Sequence, residues 1–332
     1  MNRYFMDLQF KPCGARAILI NQRMNKELAA SITYLVAQVG VDDEALLASL
    51  NTLVELLLAG KKMPPGLFAT YYQVVINILN GEQDQHAIFD PILEFAHVIE
   101  RFEIRDLTAD SLGSDEVVHL YVQALDTDER LSFEFLSPTA DESARARASV
   151  ISALALMQKV APDVFAEFNG IVHQVVLAAG SRDPAGAQFD GASSYMLWGA
   201  LALSVNQQKS DIEMLQALAH EAGHSFLFGL MIDEPLVKNP DEQLFLSPLR
   251  DDARPMDGVY HATYVLARMY YAIDTARTSG ILPESQLAEC DRLLSNSKLG
   301  FYDGLEVVRS GGDLSATGKL IMDHAISYMR SV

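Results

Sequence analysis

The sequence predicts a mostly helical α+β fold with a small antiparallel sheet, and three features of the 332-residue chain lead there. Apolar residues return at three- and four-residue spacing from Lys26 to about Arg101. Four more helical stretches close the chain, and short apolar, strand-like runs stand between the two helical parts. Apolar residues make up 49% and charged residues 21%, which buries enough surface to offset chain entropy and excludes disorder. At this length one or two domains are expected.

Taken in order, Leu46, Leu47, Leu50, Leu53, Val54 and Leu57 form a helical stripe. Met63-Pro64-Pro65-Gly66 ends it, and a further helix follows through Tyr71, Val74, Val75 and Ile78. The stripe serves either a core or a subunit interface, so a homodimer is among the expected assemblies. Residues 117–125 (VVHLYVQAL) and 131–136 (LSFEFL) read as two strands joined by Asp126-Thr127-Asp128-Glu129 in a hairpin. Helices are expected over 141–159 and 162–169, strands over 171–179 and 194–205. Helices near 211–230, 257–278, 284–296 and 315–330 complete the chain. The predicted division is a helical N-terminal region, residues 1–110, and a mixed domain, residues 111–332.

The charge balance narrows the partners. Lys plus Arg number 25 against 44 Asp plus Glu, a formal net charge of -19. Such a field repels phosphate backbones and anionic lipid, so neither nucleic acid nor membrane is an expected partner, whereas a basic peptide is attracted. Cys13 and Cys290 lie far apart and lack metal-ligand neighbours, which excludes a disulfide scaffold. The first twenty residues lack a secretory apolar core, and nothing reaches the roughly 18 apolar residues of a membrane span. A soluble cytoplasmic protein is expected.

The chemistry is concentrated in His220-Glu221-Ala222-Gly223-His224, an H-E-x-x-H motif. Ser210-Asp211-Ile212-Glu213 upstream has the form of a capping box, and Ile212, Leu215, Leu218, Ala222 and Phe226 carry an apolar stripe through the motif. Histidines four residues apart on a helix share one face, where both imidazoles reach one ion. A third ligand is needed. Leu227 and Leu230 stand where a longer His-x-x-Gly-x-x-His motif would need Gly and His, and Glu242 lies in a Pro-broken loop, KNPDEQ. The next helix opens at Arg254-Pro255-Met256-Asp257-Gly258 and presents His261 on its second turn, so the predicted metal site is His220, His224 and His261. Asp257, one turn before His261, is placed to accept a bond from a ligand imidazole. Arg254 and Arg268 flank His261, and a guanidinium near a metal invites a carboxylate.

The HExxH, a spacer of about forty residues and DARPMDGVYHATYVLAR (252–268) together resemble the HExxH-type peptide-modification proteins of ribosomal-peptide biosynthesis clusters. The match covers roughly Gly191 to Arg268, with Arg254, Pro255, Gly258 and His261 the telling positions beside the motif. The resemblance implies an iron(II)- and 2-oxoglutarate-dependent oxygenase that hydroxylates a side-chain β-carbon of a precursor peptide. It also implies a zincin-like core with a small sheet next to the HExxH helix. In such a core an edge strand pairs with an extended peptide, and Ser193, Ser194 and Tyr195, which open the strand candidate, are the expected peptide contacts.

Two other readings compete. A zinc metallopeptidase needs the same ligands, a metal-bound water and Glu221 as general base. A non-catalytic peptide-binding protein would close a structural metal with a fourth protein ligand. In the oxygenase reading three neutral imidazoles leave positions open for 2-oxoglutarate and oxygen, and Glu221 becomes a substrate-contacting acid. A bidentate Arg, either Arg254 or Arg268, then takes the distal carboxylate of 2-oxoglutarate. Weaker patterns carry less. GDLSATGK (312–319) has the wrong glycine spacing for a phosphate loop and reads as a turn feeding the last helix. Residues 191–195 lack the second glycine of a nucleophile elbow. His86, His97, His119, His173 and His324 stand singly, as surface or core histidines do.

Overall fold

A computed structural model describes residues 8–127, 133–183, 186–247 and 250–332, with the side chains of 250–252 excepted. In chain order the elements are α1 (Gly14–Val39), α2 (Glu44–Leu58), α3 (Pro65–Leu79), α4 (Gln85–Leu93), β1 (Glu103–Asp106), α5 (Ala109–Leu112), α6 (Asp115–Leu125), α7 (Ala140–Val160) and α8 (Pro162–Ile171). There follow β2 (Gln174–Ala178), β3 (Gly191–Ser193), β4 (Ala200–Ser204), α9 (Asp211–Leu230), β5 (Leu244–Ser247), β6 (Arg250–Pro255), α10 (Met256–Thr278), α11 (Glu284–Gly311) and α12 (Ala316–Ser331). The protein is thus mostly helical α+β, as the periodicity predicts. Its residues gather into two compact units. One comprises the described residues up to Ala17, Ala148–Phe168 and Lys209–Val332; the other comprises Ile18–Arg147 and Asn169–Gln208.

In the unit built on residues 18–147 and 169–208, Asp43 caps α2 by accepting from Leu46 N at 2.8 Å. Leu46, Leu50, Leu53 and Leu57 are all buried within the chain, so the leucine stripe belongs to the core. The sheet has the order β1-β2-β4-β3. β1, β2 and β4 run parallel, and β3 pairs antiparallel with β4 through Gly191↔Leu203, Ala192↔Ala202 and Ser193↔Leu201. The predicted antiparallel sheet is therefore corrected to a mixed one. The reason is legible in hindsight: QVVLA and ALALS are buried at every position, the pattern of parallel strands covered on both faces.

The predicted hairpin is also corrected. Residues 117–125 lie in α6, because Ser114 caps the helix by accepting from Val117 N at 3.3 Å and Asp115 and Glu116 occupy its first turn. Tyr121, Ala124 and Leu125 then bury at helical spacing, so the β-branched pair Val117-Val118 misled. Residues 128–132 of that hairpin lie outside the described residues, and Leu136 makes a single antiparallel bridge to Ala179. The core here joins Leu107, Tyr121, Leu125, Phe135, Val176, Phe189, Leu197 and Ala202. Gly199, at φ +91°, turns the chain into β4 where a β-carbon would stand 2.8 Å from His173 Nδ1.

The other unit is built around α10, buried along nearly its whole length. β5 and β6 form a hairpin that periodicity did not reveal, with Phe245 opposite Arg254. Its Phe245 ring fills the space beside Gly311 of α11, where a β-carbon would come within 2.3 Å of the ring. α11 continues to Gly311, beyond the expected end near 296. Ser315 caps α12 by accepting from Gly318 N at 3.0 Å, so GDLSATGK is a turn feeding the last helix. Among the described residues no helix is long and apolar enough to cross a membrane.

Candidate metal centre

The HExxH helix, α9, starts on a complete capping box: Glu213 N donates to Ser210 Oγ at 3.1 Å and Ser210 N donates to Glu213 Oε2 at 3.2 Å. From that start the apolar stripe Ile212, Leu215, Leu218 and Phe226 is buried, which fixes the helix rotation and sets the two histidines on one face. α10 begins directly after the hairpin at Met256, so His261 stands on its second turn. Gly223 brings the two helices together. A β-carbon there would lie 3.1 Å from Val265 Cγ1 and 3.7 Å from Cβ and Cγ of Arg268. A glycine inside a helix costs about 1 kcal/mol relative to alanine, and this close approach is what it makes room for.

The three predicted ligands meet in one chain of contacts. His220 Nδ1 lies 3.1 Å from Met269 Sδ, His220 Nε2 lies 3.1 Å from His224 Nε2, and His224 Nδ1 lies 3.2 Å from His261 Nδ1. The thioether sulfur only accepts, so His220 donates to it from Nδ1. His261 Nε2 is left buried without a hydrogen bond, 3.9 Å from Asp257 Oδ1. Burial holds the His224 pKa well below the usual imidazole value, and the neighbouring His220, His261 and Arg254 charges act the same way. Burial likewise lowers the pKa of His261, against the opposing pull of Asp257. Both shifts favour the neutral form of His224 and His261, the state in which imidazole ligates metal.

Whether these residues fit a divalent ion is decided by the nitrogens. Two nitrogens bound at about 2.1 Å to one ion, at angles near 95–110°, lie roughly 3.1–3.4 Å apart. The Nε2 pair of His220 and His224 has that separation. The third does not converge as it stands, because His224 turns Nε2 toward His220 and Nδ1 toward His261. Accordingly, among the described residues no three His, Cys, Asp or Glu side chains close on one point. The donor chemistry fits a divalent ion, and His261 Nε2 is buried with no hydrogen bond to compete for one.

The remaining predicted residues divide. Glu221 is buried, with Oε1 3.7 Å from His220 Nε2. Asp257 is half-exposed and too far from His261 Nε2 for the expected hydrogen bond. Arg254 passes beside Gly258, its Cβ 3.8 Å and its Nη1 4.0 Å from where a β-carbon would be, and its charge acts on His224. Arg268 is buried and committed: Nη2 pairs with Glu167 Oε1 and Nη1 donates to Phe10 O at 2.6 Å. Ser193, Ser194 and Tyr195 belong to the other compact unit. There Ser193 ends β3, Ser194 caps a short 3-10 turn by accepting from Met196 N at 3.2 Å, and Tyr195 approaches Tyr72 edge-on. Sequence reasoning missed Met269, which orients His220, and Phe228, whose ring lies 5.1 Å from that of His261. Gly223 was visible as a glycine inside the motif, though its packing role was not. Comparison of the chain with family models and with curated proteins finds no match.

Proposed function

We propose that the protein is an iron(II)- and 2-oxoglutarate-dependent oxygenase that hydroxylates a side-chain β-carbon of a ribosomally made precursor peptide in the cytoplasm. The observation that carries this reading is the cluster of three imidazoles from α9 and α10, with the buried Glu221 carboxylate beside it and the Arg254 charge acting on it. The resemblance of residues 191–268 to HExxH-type peptide-modification proteins supplies the reaction class, and the α9–α10 pair is the part of a zincin-like core this reading needs.

In this account His220, His224 and His261 would hold the ion, and the ion with 2-oxoglutarate would supply oxygen activation. Met269 holds His220 Nδ1, so Nε2 faces the site with its lone pair. Neutral ligands leave a doubly positive centre that suits a doubly negative cosubstrate. Arg268 is committed to Glu167 and to the Phe10 carbonyl, so Arg254 would take the distal carboxylate. Glu221, buried beside His220, would meet a peptide amide or a water drawn to the ion. The same position suits a general base, which keeps a zinc peptidase as the second reading.

The test is anaerobic reconstitution with iron(II) and 2-oxoglutarate, followed by oxygen and a candidate peptide. A weak visible charge-transfer band, succinate release and a +16 mass change are expected. Peptide-bond cleavage with zinc and no need for 2-oxoglutarate would replace this reading with the peptidase.

A further inference from the structure

Residues 9–11 form a strap whose successive carbonyls accept from buried guanidiniums. Arg16 Nη1 donates to Gln9 O, Arg268 Nη1 to Phe10 O and Arg16 Nη2 to Lys11 O, each at 2.6 Å. Glu167 of α8 lies between the two arginines. Arg268 Nη2 donates to its Oε1, Arg16 Nη2 to its Oε2 at 3.3 Å, and the Cys13 backbone N–H to Oε2 at 2.9 Å. All three charged side chains are at most 5% exposed. Phe10 also packs the strap: its ring lies 5.6 Å from the Arg268 guanidinium, stacks on Tyr328 with centroids 4.8 Å apart and meets Tyr264 and Tyr271 edge-on.

A buried Arg–Glu–Arg group is a poor source of stability, because desolvating the charges offsets most of their attraction, but it fixes geometry. Here the geometry reaches the histidines. The Arg268 stem fills the notch at Gly223, next to His224, and its guanidinium lies 5.4 Å over the Phe226 ring of the same helix. Arg268 is also two turns along α10 from His261. We propose that Glu167 is a positioning residue for the histidine cluster: by holding Arg268 in the Gly223 notch it sets the spacing of His224 and His261, and the strap at residues 9–13 completes the clamp. This inference rests on the metal-centre reading, and it assigns a role to a buried charge network that the proposed chemistry does not use.

The experiment uses the full chain, with Glu167→Gln and Phe10→Ala compared with wild type. Two readouts are taken at a temperature where circular dichroism shows the fold intact: the imidazole 15N resonances of the metal-free protein, and cobalt(II) affinity from visible absorption. Both variants are expected to shift the His224 and His261 resonances and to weaken cobalt(II) binding about tenfold or more. A lowered melting temperature with unchanged resonances and unchanged affinity would overturn the proposal, since that is the behaviour of a merely structural network. If Glu167→Gln does not fold, Phe10→Ala decides, because it removes packing without stranding a charge. Failure of wild type to bind cobalt(II) would overturn the metal-centre reading instead, and the metal-free resonances would still decide the positioning role.

Discussion

Replacing Gly223 tests the packing that brings the histidines together. The ideal β-carbon at this position lies 3.1 Å from Val265 Cγ1, inside the 3.5–4.0 Å of an ordinary carbon contact. For Gly223→Ala, Val265 must yield by a few tenths of an ångström, while the helix gains about 1 kcal/mol of propensity. The two effects nearly cancel, and stability is expected within about 1 kcal/mol of wild type. Gly223→Leu adds three more carbons at a place where the Arg268 stem already stands 3.7 Å away. Overpacking of this kind costs about 1–3 kcal/mol, and here it must push α9 from α10 beside His224. Urea unfolding followed by circular dichroism reads the stability, and cobalt(II) titration reads the histidine spacing. Alanine is expected close to wild type and leucine clearly below both in the two assays. A leucine variant as stable as wild type, with the same cobalt affinity, would refute the close approach of the two helices.

Removing His261 with alanine should release bound metal on gel filtration while leaving the fold intact by circular dichroism; full metal content in that variant would move the third ligand elsewhere. Arg254→Ala should weaken 2-oxoglutarate binding about 10- to 100-fold, the worth of one charge-assisted hydrogen bond, whereas Arg268→Ala should lower stability instead. Equal effects of the two on cosubstrate affinity would contradict the assignment. Stability should also fall on the acid side. Burial and the neighbouring Lys62 charge depress the His173 pKa to about 3, so below the unfolded value near 6.5 the unfolded chain takes up a proton that the folded chain refuses. That term is absent above pH 6.5, grows by about 1.4 kcal/mol per pH unit below it, and reaches about 2 kcal/mol at pH 5. His224 and His261 add to the slope in the same direction. Urea unfolding at pH 7 and pH 5 should show the loss, and His173→Gln should reduce it; an unchanged slope would mean that the ring is solvated.

The helix boundaries around the site were legible because their determinants are local. The capping box at Ser210 and the stripe through Phe226 need only neighbouring residues, and both are present in the folded chain. The placement of His261 beside the motif was legible for the same reason: Pro255 and Asp257 mark a helix start, and the helix does begin at Met256. What failed depends on distant partners. β1 reads as polar, and EIRD becomes a strand by pairing with β2 while Glu103, Arg105, Asp106 and Arg147 neutralise one another. The segment 117–125 has strand-like composition, but the Ser114 cap and the burial of Tyr121 override it. The commitment of Arg268 to Glu167 spans a hundred residues of sequence, which no spacing argument reaches. Among site residues, those on the motif could be read from one helix, whereas the role of each arginine depended on what lies opposite it.

The central claim is that one divalent ion is held by three imidazoles, from His220, His224 and His261, with positions left open. X-ray absorption at the metal edge of the iron(II)-loaded protein tests it most directly, because imidazole rings give countable outer-shell scattering. The account predicts three imidazoles in wild type, two in His261→Ala, and a change in the first coordination sphere when 2-oxoglutarate is added. Two imidazoles in wild type, or a closed set of four protein ligands indifferent to 2-oxoglutarate, would contradict it.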